Sequence, residues 1–367
     1  MKAKVIGVMV AVLLAGGMAQ ADITIETVRV GNAGNAGEWS GGSYGGWGED
    51  RICGAVAYEY NIGKYEVTAG QYCAFLNAKA VTDTYGLYNT SMGSSVYGCQ
   101  ITQNGPSGNF YYDFSGRPSG TEAEWANRPV NYVSWYDTLR FANWVTNGQG
   151  TGDTESGSYT ITDGVANGGT VTIPTAAQRK TWSTGAKSYF LLTSEDEWYK
   201  SAYHDKTAVL AATYFDYPTS SNTAPGYVND SGNLSTTGNP FVEGGTDPGN
   251  YATYDGDSGT DGIGSPYYRT VGGEWKNSYS PYGTFDQGGN VWEWNEDVIG
   301  SYRGMRGGSF CDGYDNHLHA SDRGGSNSPA GGAYGIGFRV TEVPEPATLS
   351  LLALGGLAVM RRRRSMA

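Results

Sequence analysis

The sequence predicts a loop-rich extracellular fold in which short strands and a few well-capped helices are held together by aromatic anchors. Three observations carry that expectation. The chain holds 57 Gly beside 28 Tyr and 10 Trp, which suits long turns pinned by rings. Its strand-like runs are short, and its helical stretches begin at Ser or Thr caps. From Pro218 to Pro281 almost every residue is Gly, Asn, Asp, Ser or Thr, yet Tyr251, Tyr254, Tyr267 and Trp275 punctuate the run. Long segments of that kind inside a domain are usually functional or held by ions, so they read as ordered loops.

The N-terminus reads as a secretory signal. Lys2 and Lys4 precede an apolar run from Val5 to about Ala15, and Ala19-Gln-Ala21 supplies a small-x-small cleavage site. The run is short for a bilayer span, so cleavage after Ala21 and an exported product are expected. After it, Ile23 to Val30 predicts a strand, and 22–49 forms a strand and Gly-rich loop anchored by Trp39, Tyr44 and Trp47. Ala55 to Tyr60 predicts a second strand. Thr68-Ala-Gly-Gln71 is a capping-box pattern, with Tyr72, Phe75 and Leu76 at helical spacing behind it. Residues 80–127 are polar and turn-rich and are expected to be irregular. Ser134 caps a second helix with Trp135, Leu139, Ala142 and Val145 on one face. The insertion 148–169 leads into a hairpin between Ser158–Thr162 and Thr170–Ile173. Ser194 and Glu197 frame a third helix whose early acids complement the helix dipole. A last strand is expected over Gly335–Val340.

The C-terminal residues 343–367 carry Val343-Pro-Glu-Pro346, an apolar run from Leu349 to Met360, and Arg361-Arg-Arg-Arg364. The prolines block a continuing helix or strand, and the Arg cluster stays on the cytoplasmic side of a membrane. This order resembles PEP-CTERM sorting tails. The resemblance implies processing by an exosortase, transient membrane anchoring by the tail, and a bacterial cell-envelope or extracellular-matrix destination. The formal charge of the whole chain is −12. Loss of both ends removes six positive charges and one negative, leaving about −17 on a body of about 320 residues. Nucleic acid and anionic lipid are therefore poor partners. Cys53, Cys73, Cys99 and Cys311 show no C-x-x-C spacing, so a zinc or thioredoxin-like motif is not expected. Export would allow disulfides, with three connectivities open.

The stretch from Tyr282 to Trp294 concentrates chemistry. Gly288, Gly289 and Asn290 make a turn, and Val291-Trp-Glu-Trp294 then alternates. Val291 and Glu293 are expected to point one way, and Trp292 and Trp294 the other, into a core. Asp286, Glu293 and the turn carbonyls form an oxygen-rich set of the kind hard cations such as calcium prefer. His317 and His319 would share a face of a strand, so both imidazoles could hold one metal with Asp312 or Asp315.

Six motifs then agree in order: Tyr65-Glu-Val-Thr68, Arg128-Pro-Val-x-x-Val-Ser-Trp135, Leu192-Thr-Ser-Glu-Asp-Glu-Trp198, Gly289-Asn-Val-Trp-Glu-Trp294, Arg306-Gly-Gly-Ser-Phe310 and Gly337-Phe-Arg339. Together they resemble the formylglycine-generating enzyme (sulfatase-modifying factor) family over residues 50–341. The resemblance implies one α+β domain of the C-type-lectin-like kind, low in regular structure and calcium-bound. It implies one calcium site from Asp286 and Glu293 side chains with the Gly289 and Val291 carbonyls. A second would use Asn250, Tyr251, Asp261 and Ile263. The family's oxidases hold copper with two cysteines shortly after the Gly-Gly-Ser-aromatic turn. Here Cys311 follows alone, one residue early, and Asp315, Asn316 and His317 stand near the second position. Formylglycine formation is therefore not expected. The reading is an exported, calcium-stabilised binding or structural module for a polysaccharide or surface-protein ligand. The alternative is a nonheme iron or copper oxidase using Cys311, His317 and His319. Nothing such as a Gly-x-Ser-x-Gly elbow supports a serine hydrolase.

Overall fold

A computed structural model describes residues 22–227, 249–256, 263–324 and 327–344. The signal sequence, Asp261 and nearly all of the sorting tail lie outside those residues. The strands run β1 (Thr27–Val30), β2 (Glu38–Ser40), β3 (Arg51–Cys53), β4 (Tyr60–Gly63), β5 (Thr102–Asn104), β6 (Tyr111–Asp113), β7 (Thr160–Val165), β8 (Gly168–Thr172), β9 (Tyr189–Leu192), β10 (Trp292–Ile299), β11 (Tyr302–Arg306), β12 (Ile336–Gly337) and β13 (Val340–Val343). The helices are α1 (Ala69–Lys79), α2 (Ser91–Ser94), α3 (Glu122–Ala126), α4 (Trp135–Thr146), α5 (Ala176–Trp182) and α6 (Glu195–Tyr203).

The helix starts follow their caps. Thr68 with Gln71, Ser134 with Asp137, and Ser194 with Glu197 each form a complete capping box at the head of α1, α4 and α6. Each box satisfies two backbone groups that the first helical turn leaves open. The run 80–127, expected to be irregular, contains α2, the β5–β6 hairpin and α3. The strand expected over Ala55–Tyr60 begins only at Tyr60, and the one expected from Ile23 begins at Thr27.

Two sheets organise the molecule. One has the order β1-β4-β13-β9, so the C-terminal strand lies between two earlier ones, antiparallel to both β4 and β9. The other has the order β11-β10-β12, with β10 antiparallel to β11 and parallel to β12. Helices α1 and α4 close the core with rings. Phe75 and Phe141 meet edge-on at 5.5 Å, and Phe141 meets Phe338 at 5.3 Å. Such pairs add to the burial of their own surface.

A guanidinium ties the sheets together. Arg339 is fully buried and gives Nε and Nη2 to the two oxygens of Glu293, each at 2.6 Å. It also donates to the carbonyls of Gly63 and Phe285, so β4, β10 and the 285 loop share one cation. The bidentate geometry and the carbonyl partners leave neither ion uncompensated, which is the condition for tolerating buried charge.

The cysteines are all free, contrary to the disulfides that export allowed. Cys73 Sγ reaches the Tyr112 carbonyl at 3.3 Å, and Cys53 lies 3.3 Å from Arg306 Nη2. Large aromatic cores and buried ion pairs carry the cohesion instead.

Candidate ligand-binding cleft

Between the β11–β12 connection and the N-terminal loop lies a cleft of about 820 Å³. One wall grows from the Gly307-Gly308-Ser309 turn after β11. Asp312 folds back there, and its Oδ2 accepts from the Ser309 amide at 2.6 Å and hydroxyl at 2.9 Å. A 3₁₀ turn, Asp315–Leu318, follows and buries Leu318. It sets His317 edge-on to Trp292, centroids 5.4 Å apart. The imidazole Nδ1 pairs with Asp322 Oδ2 at 2.7 Å. This hydrogen bond, with Asp312 nearby, raises the His317 pKa above its ordinary 6.5.

Asp322 is the unusual member. It is 2 % exposed, and its second oxygen, Oδ1, has no hydrogen-bond partner among the described residues. A buried acceptor left unmatched costs about 1–3 kcal/mol. Such an atom beside a cleft marks a place where a ligand donor would be stabilised.

The opposite wall is the loop between β2 and β3. Gly41 donates to Ser321 O at 3.0 Å, and Arg323 N–H donates to Trp47 O at 3.0 Å. The two segments lie so close that a Cβ on Gly46 would stand 2.0 Å from Ser321 O. A Cβ on Gly48, which has φ +83, would stand 2.6 Å from Arg323 O. Only glycine permits that approach. The loop thereby presents Trp47, 72 % exposed, at the cleft.

The floor is held by a cluster of paired ions. Arg323 gives Nε to Glu195 Oε1 at 2.9 Å and Nη2 to Glu195 Oε2 at 2.7 Å and Asp297 Oδ2 at 2.6 Å. Arg306 and Arg51 share Glu195, so three guanidiniums keep its carboxyl far below the usual range despite burial. The positive charge near the cleft is thus already spent on structure.

The residues expected from sequence fall elsewhere or in different roles. Trp294 is buried as expected, its Nε1 on Val133 O at 3.0 Å, but Val291 and Glu293, expected on the opposite face, are buried as well. Trp292 instead lines the cleft. The strand expected to hold His317 and His319 is the 3₁₀ turn and its exit, and the two rings take different partners. His319 Nδ1 is 2.8 Å from Ser321 Oγ, and its ring meets Tyr217 edge-on. Cys311 stays outside the cleft lining, with its thiol 3.1 Å from Ser309 Oγ and burial pushing its pKa up to about 11. Among the described residues Cys311, His317 and His319 keep separate partners and join no group of three metal-ligating side chains.

For calcium the donors fit in kind. Asp286, with φ 59, directs Oδ2 to the Gly273 amide at 2.6 Å, and burial raises its pKa to about 6. Glu293 is shared between Arg339 and Trp198 Nε1. A third carboxylate, Glu66, joins them: it is fully enclosed, its Oε1 is unpartnered, and Asp286 and Glu293 both act on it. Its pKa is driven well up by burial first and by those two charges next. Among the described residues no three His, Cys, Asp or Glu side chains converge as a metal cage. A cation here would therefore need main-chain oxygens such as those of Gly289 and Val291. At the second expected site Asn250 already staples loops, accepting from Thr219 Oγ1 at 2.5 Å and donating to Thr223 O. Tyr251 packs on Trp275, Ile263 is in the core, and Asp261 is not among the described residues.

Sequence reasoning singled out Trp47 as an anchor but missed its place in a cleft, and it missed Asp322 and Glu66 as site residues. Asp322 had a weak signal, a carboxylate five residues after His317.

Comparison with known proteins finds two family matches. Residues 53–343 match the sulfatase-modifying factor enzyme 1-like domain, and residues 342–364 match the PEP-CTERM protein-sorting motif. That motif marks an exported protein with a C-terminal anchor, processed by an exosortase. No curated protein matches the chain. Among solved structures, Treponema denticola variable protein 1 is similar at 19 % identity, covering 87 % of this chain and 95 % of that one, with a TM-score of 0.46. CarF is similar at 18 % identity, 87 % and 98 % coverage and a TM-score of 0.47. PvdO from Pseudomonas aeruginosa follows at 15 % identity, 88 % and 99 % coverage and 0.44. The loop bearing Trp47 precedes the matched region. With the match spanning β3 to β13, the chain belongs to the sulfatase-modifying factor enzyme 1-like domain family, on its α+β, C-type-lectin-like formylglycine-generating-enzyme fold.

Proposed function

We propose that this chain is an exported binding module of the cell envelope or extracellular matrix, and that its cleft takes a carbohydrate. The observation that carries the reading is the pairing of the indoles of Trp47 and Trp292 with Asp322, a buried carboxylate whose Oδ1 is unmatched, among the residues that line one cleft. Indole faces match the C–H face of a sugar ring, while a carboxylate oxygen accepts its hydroxyl. A cleft of about 820 Å³ is in the range that holds small ligands. Binding, and not oxidation, is the favoured activity because burial keeps the thiol of Cys311 protonated at neutral pH and Cys311 is not among the residues lining the cleft. Calcium would be held by Asp286 and Glu293 with the Gly289 and Val291 carbonyls, aided by Glu66. When bound it supplies positive charge that offsets the carboxylates of Asp286, Glu293 and Glu66, which face one guanidinium, Arg339.

Calorimetric titration of the purified exported protein with polysaccharide fragments tests the reading. Trp47→Ala is expected to abolish or sharply weaken the heat of binding while leaving the melting temperature in place. Undiminished binding in that variant would remove the cleft from the account.

A further inference from the structure

The charge on the cleft narrows the ligand beyond a sugar in general. Three of its lining residues are carboxylates: Glu49 on the exposed rim, Asp312, and buried Asp322. Arg323, the guanidinium among the lining residues, is taken up by Glu195 and Asp297 beneath the floor. His317 meets Asp322 at Oδ2 only, and Oδ1 remains without a partner among the described residues. Asp312 likewise spends Oδ2 on Ser309. The ligand space is therefore bounded by more negative charge than its own cation and imidazole offset. Neutral sugars need hydroxyl acceptors but gain nothing from uncompensated charge. A protonated amine gains both a charge-assisted hydrogen bond and attraction to the indole faces.

We propose that the cleft selects a sugar carrying a protonated primary amine, seated with its ring on Trp47 and Trp292 and its ammonium on Asp322. This deepens the carbohydrate reading above and rests on it. The wall that makes the selection possible precedes the region matched to the family: residues 41–50 lie outside it, and Gly46 and Gly48 bring Trp47 and Glu49 against the segment that carries Asp322. A lysine side chain offers the same ammonium, but it would leave two separated indoles and most of the 820 Å³ unfilled. A ring with an attached amine uses both.

The test is calorimetric titration of the exported protein with three tetrasaccharides in mildly acidic, low-salt buffer: the glucosamine form, its fully N-acetylated form, and cellotetraose. The expected result is at least ten-fold tighter binding of the glucosamine form, an advantage that shrinks as salt is raised. Asp322→Asn is expected to erase the advantage while the residual binding of cellotetraose persists. Should Asp322→Asn fail to fold, Glu49→Gln on the exposed rim is the second variant, expected to lower the preference several-fold. Equal binding of all three sugars overturns amine selection and leaves the carbohydrate reading standing. Binding of none of the three, with a lysine-rich peptide bound in the same cleft, overturns both.

Discussion

Glu195 and Asp322 are buried carboxylates on neighbouring structure, and they are treated in opposite ways. Glu195 is saturated: Arg306, Arg323 and Arg51 enclose it, and each guanidinium carries further carbonyl or carboxylate partners. Asp322 adjoins Arg323 in sequence, yet it has one imidazole on one oxygen and nothing on the other among the described residues. The first arrangement fixes the floor under the second. Where every polar atom is matched, charge serves the fold. Where one is left open beside exposed indoles, it serves a ligand. The same contrast separates Trp294 and Trp198, whose N–H groups are spent on Val133 and Glu293, from Trp47 at the cleft mouth.

The largest effect should come from breaking the saturated side. Glu195→Ala removes the carboxylate that three guanidiniums share, two of them buried, and is expected to cost about 3–5 kcal/mol, enough to unfold much of the population. Denaturant unfolding monitored by circular dichroism reads it. A near-neutral result would mean that the ion cluster is not the floor of the cleft. Next, calcium at about one hundred times its dissociation constant should add about 2.7 kcal/mol of stability. Asp286→Ala should remove that increment, as seen by calorimetric melting with and without chelator. On the open side, Trp47→Ala should weaken ligand binding ten-fold or more while moving stability by no more than about 0.5 kcal/mol, because the ring is exposed.

The smallest effect is a titration. His317 gains its partner in the folded state, so its pKa lies above 6.5 there. The stability it lends is complete below the unfolded value and is lost as pH rises through the folded one. Imidazole proton shifts followed by NMR should place its midpoint above 6.5, and Asp322→Asn should lower it. An unchanged midpoint in that variant would dissolve the pair.

Local signals in the sequence were sufficient where one short segment decides its own structure. Thr68, Ser134 and Ser194 announce their helices because a capping box is complete within four residues. The burial of Trp294 follows from strand alternation, whereas the burial of Val291 and Glu293 on the opposite face does not. The ion pair of Glu293 with Arg339 is not local, since 46 residues separate them, and no periodicity encodes it. The strand placed at His317 failed because the preceding Gly-rich turn and Leu318 wind the chain into a 3₁₀ turn, which divides the two imidazoles. The cleft was the least legible part. It joins Trp47 to Asp322 across the whole chain, through glycines whose meaning appears only when the backbone they touch is in place.

The most direct measurement is NMR of the indole N–H groups during titration with polysaccharide fragments. The account predicts that Trp47 and Trp292 shift with ligand while Trp198 and Trp294, bonded inside the protein, stay fixed. Stationary signals from Trp47 and Trp292 in the presence of a bound sugar would contradict it.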